Sequence, residues 1–189
     1  MRIIAGTARG RRIETPAGQQ TRPTLDRVRE NLFNILQTKT ASSRVLDLFA
    51  GSGAFSMEAL SRGAESAVLC DCDREASRIE RKNAEALGFS DRIEQLHCDW
   101  RTAVQRLQHE GRNFDIVFLD PPYRMTDLQE VFACLEPLIA EDGLVIAEHD
   151  VKKEILICGG YEKTDERKWG GCGMSFFRKI QRYDEGNDA

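Results

Sequence analysis

From Arg44 onward the chain alternates between short apolar, β-branched runs and stretches of helical periodicity, and no other feature limits its fold as strongly. Val45-Leu46-Asp47-Leu48-Phe49 and residues 66–70, 93–97, 114–119 and 143–148 read as strands. Helices are expected between them over residues 54–62, 74–87, 102–110 and 127–139, with Gly88 as a natural stop after the second. Such alternation buries a parallel, doubly wound sheet between two helical layers, joined by right-handed crossovers. After Val151 the pattern changes. Residues 161–168 and 174–183 flank Trp169-Gly170-Gly171-Cys172-Gly173 and read as an antiparallel hairpin that completes the sheet.

The N-terminal part is built differently. Ile3-Ile4 and Arg12-Ile13-Glu14 flank a glycine-arginine loop, Gly6 to Arg11, and predict a small hairpin over residues 2–15. Thr24 is the expected N-cap of a helix running to about Leu36, with Val28, Leu32, Ile35 and Leu36 on its apolar face. Arg22, Arg27 and Arg29 fall at its start or on its polar side, and Ser42-Ser43 reads as a short linker. The expected class is α/β: a Rossmann-like, mostly parallel sheet with a C-terminal hairpin, preceded by a small hairpin and helix. The expected division is an N-terminal extension (1–41), a main domain (42–183) and a flexible tail (184–189).

Composition bounds the setting. At 189 residues with 41% hydrophobic content, the chain can build one core. No run approaches the roughly 18 apolar residues of a membrane span, and the first residues lack the apolar centre of an export signal. The six cysteines form no C-x-x-C pair and read as reduced thiols of a cytoplasmic protein. Cys70-x-Cys72 and His97-Cys98 lie on separate expected strands, so no zinc site is expected. The net charge of −4 is uneven: residues 1–30 hold seven arginines against three acids, whereas residues 31–161 hold 14 basic against 22 acidic side chains. A basic front suits a polyanionic partner, although a cluster this small is ordinarily a solvated face.

Acids stand at the ends of successive strands. Asp47 precedes the turn Ala50-Gly51-Ser52-Gly53, Asp71 closes the second strand, and Asp99 follows the third. The turn lacks the third glycine of a dinucleotide fingerprint and the Lys-Ser/Thr of a P-loop. An acid beside a glycine turn disfavours a pyrophosphate and favours an amine-bearing or cationic ligand. Asp71, 20 residues after Gly51, is placed to take ribose hydroxyls, and Asp99 to take an adenine amino group. Each acid alone would be an ordinary turn residue. In register they describe a nucleoside with a positively charged tail, which S-adenosylmethionine fits.

The fourth strand runs into Asp120-Pro121-Pro122-Tyr123. Two prolines stiffen the turn and leave carbonyls free, Asp120 adds an acceptor, and Tyr123 offers a flat face. Asp-Pro-Pro by itself commonly does no more than close a strand. Beside a nucleoside site, this set of acceptors suits an exocyclic amino group on a planar base.

DLFAGSG, the acids after strands two and three, and DPPY after strand four together resemble the class I S-adenosylmethionine-dependent methyltransferases that act on exocyclic amino groups. RIIAGTARGRRIETP followed by RPTLDRVRENLFNIL, and the closing WGGCGMSFFRK, resemble more narrowly the RsmD family of bacterial 16S ribosomal RNA guanine-N(2) methyltransferases. The resemblance runs from Arg2 to about Arg182; Asp71 stands where the family often carries Glu. It implies S-adenosyl-L-methionine bound at Asp47, Phe49, Gly51, Gly53, Asp71 and Asp99, with Asp120, Pro121, Pro122 and Tyr123 catalytic. It further implies Arg9, Arg11, Arg12, Arg22 and Arg27 on RNA, a monomer acting on ribosomal RNA in an assembled or assembling small subunit, and neither metal nor membrane. Two other readings share the motifs: an amino-group methyltransferase for DNA adenine or another RNA, and a catalytically silent nucleoside- or RNA-binding module on the same fold.

Overall fold

The structure is a computed structural model; it describes residues 1–16, 23–122, 125, 128–153, 155, 157 and 159–180. The elements in order are α1 (Pro23–Ile35), α2 (Gln37–Thr40), β1 (Arg44–Asp47), α3 (Ala54–Ser61), β2 (Ser66–Cys70), α4 (Arg74–Leu87), β3 (Ile93–Leu96), α5 (Trp100–His109), β4 (Phe114–Leu119), α6 (Gln129–Leu135), β5 (Ile139–Asp150), β6 (Tyr161–Trp169) and β7 (Cys172–Lys179). The seven strands form one sheet in the order β3-β2-β1-β4-β5-β7-β6. β1 to β5 pair in parallel, and β7 joins β5 and β6 antiparallel. The expected fold class is therefore the observed one.

Strand residues divide by parity between two cores. Val45, Leu69, Ile116, Phe118 and Ile146 pack with Leu32 and Phe33 of α1, Met57 and Leu60 of α3, and Leu87 of α4. Leu46, Val68, Val117, Leu119 and Val145 pack on the other face with Trp100 and Leu107 of α5 and Phe132 of α6. Burial on both faces explains why these strands are apolar without alternation. Ile3, Ala8 and Ile13 of the N-terminal segment join the first of these cores.

Several boundaries differ from expectation. Helix α1 begins at Pro23, whose fixed φ suits a first helical position, so Thr24 lies inside the first turn rather than capping it. Ile35 is exposed, and Phe33 takes its place in the core. Arg29 is buried rather than on the polar side. Ser42-Ser43 is a pinned turn rather than a linker: Ser42 N–H donates to Gly63 O, and the buried Ser43 hydroxyl donates to Thr40 O. The helix expected over 127–139 is α6 alone, followed by a 3-10 turn over Glu136–Leu138. β5 starts at Ile139, with an irregularity opposite Asp115 before regular pairing resumes at Leu144. β7 begins at Cys172 and ends at Lys179; Tyr183 and the expected tail lie outside the described residues.

The N-terminal hairpin forms: Arg2 bridges Arg12 antiparallel, and Ile3 N–H donates to Arg11 O, Gly10 N–H to Ile3 O and Ile13 N–H to Met1 O. Its anchor is α3. The Glu58 carboxylate is wholly buried and accepts from Ile4 N–H (2.8 Å), Ala5 N–H (3.0 Å) and Arg62 Nε (2.8 Å), with Arg29 Nε at 3.7 Å. The Ser61 hydroxyl donates to Ala5 O and accepts from Ala8 N–H. Gly6 sits against this end of α3 with φ +82°, where a Cβ would lie 1.8 Å from Ser61 O, so only glycine fits. Asn83 of α4 adds a second tie, exchanging hydrogen bonds with the Glu14 backbone and donating to Ser52 O. Replacing Glu58 with Ala orphans two backbone N–H groups and leaves Arg29 with Asp26 as its one acidic partner among the described residues. Denaturant unfolding of Glu58→Ala should show a loss of ~3–5 kcal/mol, and Glu58→Gln a smaller one.

Candidate active site

A cavity of about 620 Å³ lies across the carboxyl ends of the strands. The chain runs outward from β1 through β2 to β3, then returns to start β4 on the other side of β1, and the crevice opens at that reversal. Its walls take Leu48 and Phe49 after β1, Cys70 and Asp71 at the end of β2, Cys98 and Asp99 after β3, Asp120 after β4 and Glu148 on β5.

On one side stand the three acids expected to hold a nucleoside. Asp71 Oδ2 accepts from Gly51 N–H (2.8 Å) and Oδ1 from Asp73 N–H (2.8 Å), which ties the end of β2 to the glycine turn. Asp99 caps α5 by accepting from Arg101 N–H (2.9 Å), and it opens to the cavity beside Trp100. Asp47 is placed differently: it lies behind the turn, 1% exposed, off the cavity wall. Ser56 Oγ–H donates to its Oδ2 (2.9 Å), and Oδ1 has no hydrogen-bond partner among the described residues. Burial pushes the Asp47 carboxyl up to about 7, and burial does the same to Glu80 of α4. Gly51 reaches the wall and Gly53 does not. Gly53 starts α3 with φ +71°, and a Cβ there would meet Leu69 Cδ2 at 2.8 Å, so its smallness serves helix-to-sheet packing.

On the other side are Asp120 and Pro122, with the N-terminal segment above them through Met1, Pro16, Val28 and Arg29. Pro121 is half-buried and flanks the wall. Tyr123 lies outside the described residues, as does Arg22. Asp120 is exposed to the cavity, yet the protein packed around it raises its carboxyl well above the ordinary range, and the charges of Glu148 and Asp47 add to the effect. Glu148, Arg29, Phe55, Trp100 and Met125 also line the cavity, and sequence reasoning singled out none of them as site residues. Glu148 closes an apolar strand as Asp71 does, and that position was its available signal.

Of the expected RNA-facing arginines, Arg9, Arg12 and Arg27 are exposed, and their side chains make no hydrogen bond or ion pair among the described residues. Arg11 is engaged: its guanidinium donates to Leu87 O (3.3 Å) and Ala86 O, capping the C-terminus of α4. Among the described residues no cluster of His, Cys, Asp and Glu is arranged to hold a metal, and no helix is long and apolar enough to cross a membrane.

The family described as Conserved hypothetical protein 95 matches residues 1–178. The chain belongs to this family, the RsmD family. Ribosomal RNA small subunit methyltransferase D of Escherichia coli K12 is 39% identical over 154 residues, covering 80% of this chain and 76% of that protein. The solved structure of yhhF from Escherichia coli matches with a TM-score of 0.80 at 35% identity, covering 95% of this chain and 97% of the other. SMU.776, solved in complex with SAH, shares the fold at 17% identity, with a TM-score of 0.68 over 80% of this chain and 48% of that one.

The buried acids make a pH-dependent prediction for this RsmD family member. A carboxyl raised from 3.8 to about 7 binds its proton more tightly folded than unfolded, so its contribution to stability is greatest below pH ~4 and declines as pH rises towards 7. Asp47→Asn keeps the Ser56 contact without the charge. Unfolding of this variant should show a gain on the order of 2–4 kcal/mol at pH 8 and a flatter profile between pH 4 and 7. An unchanged profile would mean that Asp47 is not strained in the free protein.

Proposed function

We propose that this chain is an S-adenosylmethionine-dependent methyltransferase that modifies the exocyclic 2-amino group of a guanine in small-subunit ribosomal RNA, acting as a cytoplasmic monomer on the assembled or assembling subunit. The observation that carries the reading is that Asp120 of the Asp-Pro-Pro turn shares one cavity with Gly51, Asp71 and Asp99. Membership of the RsmD family and the name of the Escherichia coli relative support the RNA substrate.

The residues present fit the cofactor. The cavity is roomy enough for a nucleoside, with apolar walls at Leu48, Phe49 and Trp100 and acids at both ends. Asp71 and Asp99 would take the ribose hydroxyls and the adenine amino group, while the field of buried Asp47 favours the positively charged tail. When bound, S-adenosylmethionine supplies an electrophilic methyl carbon on a sulfonium. Asp120 and the Pro121 carbonyl accept from the 2-amino group and turn the nitrogen lone pair towards that carbon. They also favour the positive charge that nitrogen gains. Asp120 needs its charge for this, and a cation beside it lowers its raised pKa. Tyr123 would stack on the extruded base. Arg9, Arg12 and Arg27 would hold phosphates and set the register of the RNA without reading its sequence.

The test is incubation with labelled S-adenosylmethionine and small subunits lacking the modification, followed by nucleoside analysis. N2-methylguanosine supports the reading; methyladenosine, or cofactor binding without transfer, overturns it. In single-turnover assays Asp120→Ala should lower transfer by about 10²–10³ with cofactor affinity retained, and Asp120→Asn should lower it less because an amide oxygen still accepts. Near-normal transfer by Asp120→Ala would remove it from the chemistry. Combined Arg9, Arg12 and Arg27→Ala should weaken RNA binding and flatten the slope of log affinity against log salt by roughly 0.7 for each phosphate left without its arginine. An unchanged slope would make these arginines a solvated face.

A further inference from the structure

We propose that Glu148 is a second catalytic carboxylate, standing beside Asp120 on the cavity wall and taking the proton that the substrate amino nitrogen sheds on methylation. The inference rests on the methyltransferase reading above and assigns the step that Asp120, as an acceptor and charge stabiliser, leaves open. β4 and β5 pair in parallel with Leu119 opposite Ala147, so the next residues, Asp120 and Glu148, emerge side by side from strands ~4.8 Å apart. Both continue the parity of Phe118 and Ile146, and both line the cavity. Side chains on one face of neighbouring strands therefore bring two carboxylates to one amino group that carries two N–H bonds.

The atoms balance. The nitrogen lone pair forms the N–CH₃ bond, and the C–S bond breaks with its electrons going to sulfur. The nitrogen is left cationic, and one N–H bond then gives its proton to Glu148 and its electron pair back to nitrogen. Water removes the proton from Glu148 as the product leaves. Glu148 suits this task because its carboxyl is raised by burial, with the Cys172 thiol and the nearby His149 acting in the opposite direction. The groups acting on the pair are Asp47 from β1, His149 on β5 and Cys172 on β7; Arg29 from α1 lines the same cavity but is held by Glu58 and Asp26. His149 is itself held by the Ser175 hydroxyl (3.0 Å from Nε2) and by Glu166 of β6 (3.7 Å). Cys172, its thiol pushed up by burial and by Glu148, stays protonated and does not compete for the proton.

The test compares full-length wild type, Glu148→Gln and Glu148→Asp. Gln keeps the shape, and the Cys172 thiol keeps its Gly173 O acceptor, so the fold should survive; SAH affinity by calorimetry checks that the cofactor half is intact. Single-turnover transfer by Glu148→Gln should fall on the order of 10²-fold, with partial recovery in Glu148→Asp. The second readout is carboxyl ¹³C NMR of the free protein across pH: removing the Glu148 charge should move the Asp120 titration to lower pH. Transfer by Glu148→Gln within about threefold of wild type, or an Asp120 titration that does not move, overturns the proposal while leaving the methyltransferase reading in place. If wild type itself transfers no methyl group to the small subunit, both fall.

Discussion

The buried Glu58 carboxylate joins parts of the chain that are more than fifty residues apart. It sits on α3, the helix that starts at the glycine turn, and receives backbone N–H groups from Ile4 and Ala5. α3 is thus shared: its N-terminus shapes the floor of the cavity, and its buried face holds the segment that covers the other side. Two arginines offset the desolvation of Glu58, and one of them, Arg29, also lines the cavity. A buried charge with several donors is costly to break from either side. This accounts for how a short N-terminal hairpin, outside the main sheet, holds one position.

The carboxyls in and beside the cavity hold their protons more tightly than free acids do. Asp47, Glu80, Asp120 and Glu148 are all raised, and burial is the largest cause for each. Asp47 Oδ1, Glu80 Oε1 and Trp100 Nε1 lack hydrogen-bond partners among the described residues. Asp120 and Glu148 on the cavity wall, and Asp47 and Glu80 buried off it, are all favoured in their charged form by a positive charge nearby. A ligand with a sulfonium and an ammonium group meets that need, and so does the amine that becomes cationic during transfer. The same acids would repel a pyrophosphate, which agrees with a glycine turn that lacks the dinucleotide and P-loop patterns.

How much of this the sequence disclosed depends on which interactions are local. β2, α4 and β4 have the expected bounds, because apolar runs and a helix stop at Gly88 are properties of short windows. β5 extends past its expected bounds at both ends, starting at Ile139 rather than Gly143. Its irregular start, closed by Gly143 against Ile139 and Phe114, depends on a neighbouring strand that is distant in the chain. Ile35 and Phe33 exchanged places for a related reason. Helical spacing gives a face, and the partner decides how wide that face is. That Asp71, Asp99 and Asp120 reach the cavity could be expected because each follows a strand run beside a glycine or proline signal or in register with one. Glu148 lies two residues before the end of β5, followed by His149 and Asp150 rather than by a breaker, and its place beside Asp120 shows only once β4 is known to lie against β5. Arg29 reads as surface until Glu58 is found opposite it.

The two sides of the cavity also differ in what their acids already hold. Asp71 and Asp99 accept backbone N–H groups from Asp73, Gly51 and Arg101. Those bonds fix each carboxylate and leave its outward lone pairs for a ligand, the arrangement expected where a cofactor must be gripped the same way in every turnover. Asp120 and Glu148 receive no such backbone donor among the described residues; the Cys172 thiol near Glu148 donates to Gly173 O. An acid already satisfied would have little to gain as charge develops on a substrate nitrogen. An unsatisfied one gains most at that moment. The β2 and β3 side thus presents acids already held by backbone donors, and the β4 and β5 side an Asp120 that has none among the described residues.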